Sequence, residues 1–267
     1  MHFNLFGVFF GKNNIDSFAI MFLMILIPLA IFLVGIVSGF FGAIAGGGGL
    51  ISIPFLLFLG IPPQVALATN KFGGLGLSIG AIYKFFKEKR IVWIYAIGLS
   101  AAGILASLIG SRILIEIEPK HLNVFVAFLL IILAPTVFLS KNFGMIEKNR
   151  SPKFHFWGYF FYFIISILAS IMGGFGAILI SGVIYFFGLT IIKANATELI
   201  SYTALSISAT IIYMFNGLID YKLLLCLFPG MSIGGYIGAH TTIRKGNSWV
   251  KIIFIAVIIF SALKLLI

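Results

Sequence analysis

Apolar runs recur along this chain from Ile20 to the C-terminus, and two of them are too short to be ordinary membrane spans. In a bilayer the backbone must satisfy its own N–H and C=O groups, so runs of this kind fold as helices. Ten segments follow, at about 19–45, 49–60, 63–86, 91–115, 121–139, 156–174, 176–188, 190–215, 219–243 and 249–266. A helix of about 12 residues rises about 18 Å, short of a hydrocarbon core of about 30 Å. The second and seventh segments are therefore expected to be broken or re-entrant half-helices. Each follows glycines: Gly46 to Gly49 before the second, and Gly173, Gly174 and Gly176 before the seventh. Consecutive glycines release the backbone from helical geometry.

Composition agrees with an all-α polytopic membrane protein. Hydrophobic residues make up 61% of the 267 and charged residues 9%, too few to cover a soluble domain. The first fifteen residues carry one Lys, and no small-residue cleavage site interrupts the run after Asp16. That run reads as a retained first span behind an N-terminal segment, 1–18, rather than as a cleaved signal peptide. Cys226 lacks an internal partner and reads as a small buried hydrophobe. The net charge of +11 sits mainly in short loops, where it sets topology, and no basic patch interleaves with exposed aromatics, so nucleic acid is not an expected partner.

The chain reads as two copies. The polar stretch Lys141 to Lys153 divides a first repeat, 19–140, from a second, 154–267, with a linker at 141–153. Placing Gly60 on Gly188 gives an offset of 128 (188 − 60) that also carries Gly46 onto Gly174, Gly48 onto Gly176, Thr69 onto Thr197 and Gly110 onto Gly238. Small residues recur with it: Thr69, Gly73, Gly76 and Gly80 match Thr197, Ser201, Ala204 and Ser208, each set on one helical face. Gly230, Gly234 and Gly238, matching Ala102, Ala106 and Gly110, suit close helix packing. Equivalent loops differ in charge. The loop with Lys84, Lys87, Lys89 and Arg90 is basic, and its counterpart holds only Asp220 and Lys222. The loop after Arg112 holds Glu116, Glu118 and Lys120, and its counterpart holds Arg244 and Lys245. Two homologous repeats of about five segments each, inverted in the membrane, are thus expected, with basic loops in the cytoplasm and both termini outside. The competing arrangement is a parallel four-plus-four with re-entrant short segments.

Of seven acidic residues only Glu198 lies deep in a segment, about 12 Å from its start, so it is a candidate for proton coupling or gating. The alternative is a carboxyl group hydrogen-bonded to the other half. Its counterpart is Asn70, beside Lys71. Lys71 is expected to face a substrate or to snorkel outward, Lys193 to snorkel, and Arg112 to sit at the interface. Helices starting after the two glycine breaks leave unpaired N–H groups at a positive dipole end. Two such starts point to one anion site between the repeats, at Gly46, Gly47, Gly48 and Gly49 with Gly173, Gly174 and Gly176, to which Thr69, Asn70, Thr197 and Ser201 add hydrogen bonds. The alternative is that the glycines only permit a sharp, closely packed bend.

The stretches GFFGAIAGGGGLISIP and LGIPPQVALATN, the second copy SIMGGFGAILISGVIYFFGLTIIKANATE, and NGLIDY with GGYIGA resemble the TauE/SafE sulfite-exporter family of membrane permeases, from about Ile31 to Ile267. The resemblance implies a bacterial-type inner-membrane permease that transports sulfur-containing anions such as sulfite or organosulfonates. Asn70 and Glu198 stand where that family often has Ser. The family is usually described as a duplicated four-span unit. The expected function is a secondary transporter of small anions, with protons as a possible coupling ion and no cofactor or metal. A passive anion channel is the alternative. An intramembrane enzyme is disfavoured because His2, His121, His155 and His240 are scattered near ends and loops, and no ATP-binding glycine motif occurs.

Overall fold

The structure, a computed structural model, describes residues 17–116, 144–171 and 175–266, with residues 17–24 and 254–266 described by their backbone alone. Eight helices are described: α1 (Ser17–Ala45), α2 (Gly49–Phe58), α3 (Pro63–Lys87), α4 (Trp93–Glu116), α5 (Pro152–Ile171), α6 (Gly176–Phe187), α7 (Ile191–Phe215) and α8 (Tyr221–Leu266). Six are long and apolar enough to cross a membrane; α2 and α6 are not. With 10 and 12 residues they rise about 15 and 18 Å. The fold is all-α among the described residues, and the protein is a multi-pass membrane protein. The expected run at 121–139 lies outside the described residues. The last two expected runs form one helix, α8, broken at Gly246 (φ 81°, ψ 175°).

Local chemistry sets the boundaries. Pro63 opens α3 at a position where its missing N–H is no loss. Gly60 and Gly188 end the two half-helices in the left-handed conformation, at φ 77° and 70°. Both bounds of α7 lie 128 residues after those of α3 (191 − 63 and 215 − 87), and α8 starts 128 residues after α4.

The half-helices fold back on the helices before them. Gly48 sits against Gly42 and Ser38, and the Ser38 hydroxyl donates to the Gly48 carbonyl at 2.6 Å. In the second half, Gly158 meets Phe186 and Phe187, while Gly182 meets Phe161. Each pair therefore makes an antiparallel hairpin.

Long helices pack across the halves. On α3, Gly73 meets Leu227, Gly76 meets Phe228 and Gly80 meets Ser232 of α8. On α8, Gly230, Gly234 and Gly238 lie on Phe32, Ile36 and Phe40 of α1. Both contact series ascend together, so α1, α3 and α8 run in one direction. Likewise Gly98 and Gly110 of α4 meet Tyr159 and Ile167 of α5, and Ser107 meets Ser208 of α7 at 2.5 Å. Thus α4, α5 and α7 also share a direction. Absent side chains let backbones touch along these seams, the geometry that drives helix association in lipid.

Two hydrogen bonds repeat with the same offset. Thr69 Oγ1 accepts from the Asp220 N–H at 2.9 Å, and Thr197 Oγ1 accepts from the Val92 N–H at 3.1 Å. Each threonine thereby holds the entry to the other half's long helix.

A side chain at Gly80 would strike the Ser232 carbonyl, whereas one at Gly103 would sit 3.3 Å from the Leu205 side chain. Gly80→Val is expected to cost about 1–3 kcal/mol of stability, and Gly103→Ala clearly less. Thermal unfolding of the purified variants checks this; equal melting temperatures for Gly80→Val and the parent would contradict the α3–α8 seam.

Candidate functional site

A helix that stops inside the bilayer leaves carbonyl groups without partners. Here α1 stops at Ala45, and the side chain of Asn195, from α7, donates to Ala43 O at 2.6 Å and Ile44 O at 3.1 Å. The helix α5 is described to Ile171, and Lys71, from α3, donates its ammonium to Ala169 O in its last described turn. Tyr213 of α7 donates to Ser170 O at 2.7 Å. A side chain from the other half thus caps α1, and another bonds the last described turn of α5.

Lys71 corrects one sequence expectation. It does not reach the surface: it is 1% exposed, and its ammonium also lies 5.2 Å from the Tyr202 ring centroid. A positive charge at the C-terminal end of α5 meets the negative end of the helix dipole. Lys193 pairs with Glu147 at 2.6 Å, and Arg112 is exposed near the end of α4.

The two breaks meet. Gly46 takes φ 67°, and a Cβ there would lie 2.5 Å from Gly176 Cα. Glycine is required at this contact for its conformation and for its missing side chain. Beside it lies a cavity of about 40 Å³, lined by Gly46, Gly48, Gly49 and Gly176 from the breaks and by Asn70, Glu198 and Tyr202 from the long helices. That volume holds a few water-sized groups, the scale of a small polyatomic ion.

Polar groups and one acid belong to the lining residues. Among the described residues, the N–H groups of Gly48 and Gly49 find no backbone acceptor. Asn70 Oδ1 accepts from Ser52 at 2.5 Å, which leaves the Asn70 amide N–H groups for the cavity it lines. Glu198 is 2% exposed, and its Oε1 has no hydrogen-bond partner. No ion pair joins it to Lys71 among the described residues.

Of the residues singled out by sequence, Gly46, Gly48, Gly49, Asn70, Gly176 and Glu198 therefore come together. Gly47 is buried in the same turn without lining the cavity. Thr69 and Thr197 also lie outside the lining and serve the interhelix bonds described above. Ser201 donates to Ala96 O at 3.2 Å, joining α7 to α4. Gly173 and Gly174 lie outside the described residues. Sequence reasoning missed Tyr202, whose place one helical turn after Glu198 was the available signal, and the cap Asn195. Among the described residues, no group of three or more His, Cys, Asp or Glu could hold a metal ion.

The chain is 25% identical to a "Probable membrane transporter protein" of Haemophilus influenzae over 226 residues, covering 83% of this chain and 87% of that protein. It is 30% identical to the "Probable membrane transporter protein YdhB" of Bacillus subtilis over 224 residues, covering 81% and 89%. It is 33% identical over 111 residues to the Arabidopsis thaliana "Sulfite exporter TauE/SafE family protein 3", covering 40% of this chain and 22% of that one. No solved structure matches the chain. The sulfite exporter TauE/SafE family matches residues 31–265, and the chain belongs to that family of membrane proteins.

Proposed function

We propose that this chain is a secondary transporter of small anions, sulfur-containing ones such as sulfite or organosulfonates, coupled to protons through Glu198. The observation that carries the reading is the cavity itself: both glycine breaks and the deep carboxyl group line it, in a member of a transporter family.

Backbone N–H groups and helix N-termini supply partial positive charge without the desolvation cost of a buried ammonium. Gly46, Gly48, Gly49, Gly176 and Asn70 form the anion side of the site in this reading. Thr69, Thr197 and Ser201 hold the helices that shape it. An ionised Glu198 about 5 Å from a bound anion repels it by about 3 kcal/mol at an effective dielectric of about 20. A protonated Glu198 instead offers a hydrogen bond. Proton and anion therefore bind together, and by linkage each raises the affinity of the other.

Alternating access through inverted repeats fits the packing. The connections 88–92 and 216–220 have five residues each and reach about 17 Å when extended. They cannot recross a core of about 30 Å, so α3 and α4 run in opposite directions, as do α7 and α8. Combined with the contact order, this supports opposite directions for the counterpart helices of the two halves. The basic clusters Lys84 to Arg90, Lys148 to Lys153 and Arg244 with Lys245 then share one face, as the positive-inside rule requires.

The proposed function is tested by flux into proteoliposomes with sulfite, thiosulfate, sulfonates and carboxylates. Uptake of a sulfur-containing anion against its gradient, driven by a pH difference, is the expected result; flux only down the gradient would identify a channel. Gly48→Val and Gly176→Val should abolish anion binding in protein that still folds, and unchanged affinity would make the glycines packing residues. Anion affinity should fall as pH rises and Glu198 loses its proton, while Glu198→Gln should bind with an affinity flat across pH. A pH dependence surviving in that variant would remove Glu198 from coupling. Single cysteines introduced by Glu88→Cys and Asn216→Cys, with Cys226→Ser, should label from opposite sides of the membrane; labelling from one side would refute inversion.

A further inference from the structure

Glu198 is enclosed, yet a coupling proton must reach it. Buried polar atoms without partners mark where. Glu198 Oε1, Ser206 Oγ and Thr210 Oγ1 on α7, and Tyr162 Oη and Ser166 Oγ on α5, are all sealed from solvent and make no hydrogen bond. All five residues are at most 3% exposed. Such atoms are costly unless something bridges them.

Their spacing is ordered. Glu198, Tyr202, Ser206 and Thr210 stand four residues apart on one face of α7, and Tyr162 and Ser166 do the same on α5. The two helices run in the same direction, both packed on α4, and meet through side chains such as Tyr213 on Ser170 O. The Tyr162 hydroxyl lies close to Ser166 and Ser201 without hydrogen-bond geometry to either, and farther along Tyr213 bonds to Ser170 O. From Glu198 to Thr210 the row climbs about 18 Å toward the exposed end of α7 at Phe215 and Asn216.

The full row exists in one half only. Ser206 has a buried, unpartnered counterpart in Ser78 and Ser166 a buried, hydrogen-bonded one in Ser38, but the counterparts of Tyr162, Tyr202 and Thr210 are Val34, Gly74 and Ile82, so the file from Asn70 is not continuous. We propose that the α5–α7 face from Glu198 to Thr210 is a water-bridged proton path that opens only toward the C-terminal end of α7. It rests on the reading of Glu198 as the proton-carrying group. Each hydroxyl or water accepts one proton and releases its own to the next, so charge moves with no net change in the path. The titratable groups facing Glu198 among the described residues are Lys71 of α3, Tyr162 of α5 and Tyr202 of its own helix.

Infrared spectroscopy tests the path without transport. The carboxylic C=O band that Glu198→Gln deletes should shift on transfer to D2O, at a rate set by proton access. Thr210→Val and Ser206→Ala should each slow that exchange about tenfold, one lost hydrogen-bonded link. Thr210→Ser should restore it. Ser78→Ala, at the counterpart of Ser206, should leave it unchanged. If one of the first two variants fails to fold, the other decides. Unchanged exchange in a folded Thr210→Val or Ser206→Ala, equal slowing by Ser78→Ala, or no band assignable to Glu198 would overturn the path. Anion affinity, measured alongside, separates the two claims: slowed exchange in a protein that binds no anion keeps the path and rejects the anion site.

Discussion

The backbone of a helix that ends inside a membrane must be satisfied by the protein itself, and this molecule meets that demand reciprocally. The carbonyl end of α1 rests on Asn195 and that of α5 on Lys71. Both of these side chains come from the opposite half, so each half relies on the other. The same exchange recurs where Thr69 and Thr197 receive the N–H groups of Asp220 and Val92. The start of α2, where the Gly48 and Gly49 N–H groups find no backbone acceptor, lines a cavity, and irregular backbone survives at membrane depth only where it lines a cavity or is buried in protein.

Near-symmetry in the scaffold contrasts with asymmetry in the chemistry. The bounds of α3 and α7, the starts of α4 and α8, and the two threonine bonds repeat at one offset. Yet Asn70 faces Glu198 across the repeat, and the caps are unlike: a neutral amide on α1 but an ammonium on α5. One half thus carries the deep acid Glu198 where the other carries Asn70, and both line the same cavity. That division fits the proposed reading, in which the anion path alternates while the proton enters by a fixed route.

Much of this was legible in the sequence because lipid leaves few choices. Helix existence followed from apolar runs, the half-helices from their length, and the glycine contact from the repeated breaks. Glu198 stood out since it was the only deep carboxyl group. What the sequence could not give was partnership. Thr69 and Thr197 begin matching small-residue faces, which suits a ligand site as well as a helix seam; only contacts across the halves show that their oxygens hold backbone N–H groups. Lys71 sits one third of the way along α3, within snorkelling reach by distance, and only the position of the α5 end shows why it stays inside. The residues 117–143 and 172–174 lie outside the described structure, so the fifth run and the second break were read from sequence alone.

The central claim is that an anion sits where the two breaks meet. Anomalous diffraction from crystals soaked in selenite, a heavier analogue of sulfite, tests it directly. The account predicts a selenium peak in the cavity, within hydrogen-bond reach of the Gly48 and Gly49 N–H groups and of Asn70. A peak only at the exposed basic cluster of Arg244 and Lys245, with the cavity empty at saturating selenite, would contradict it.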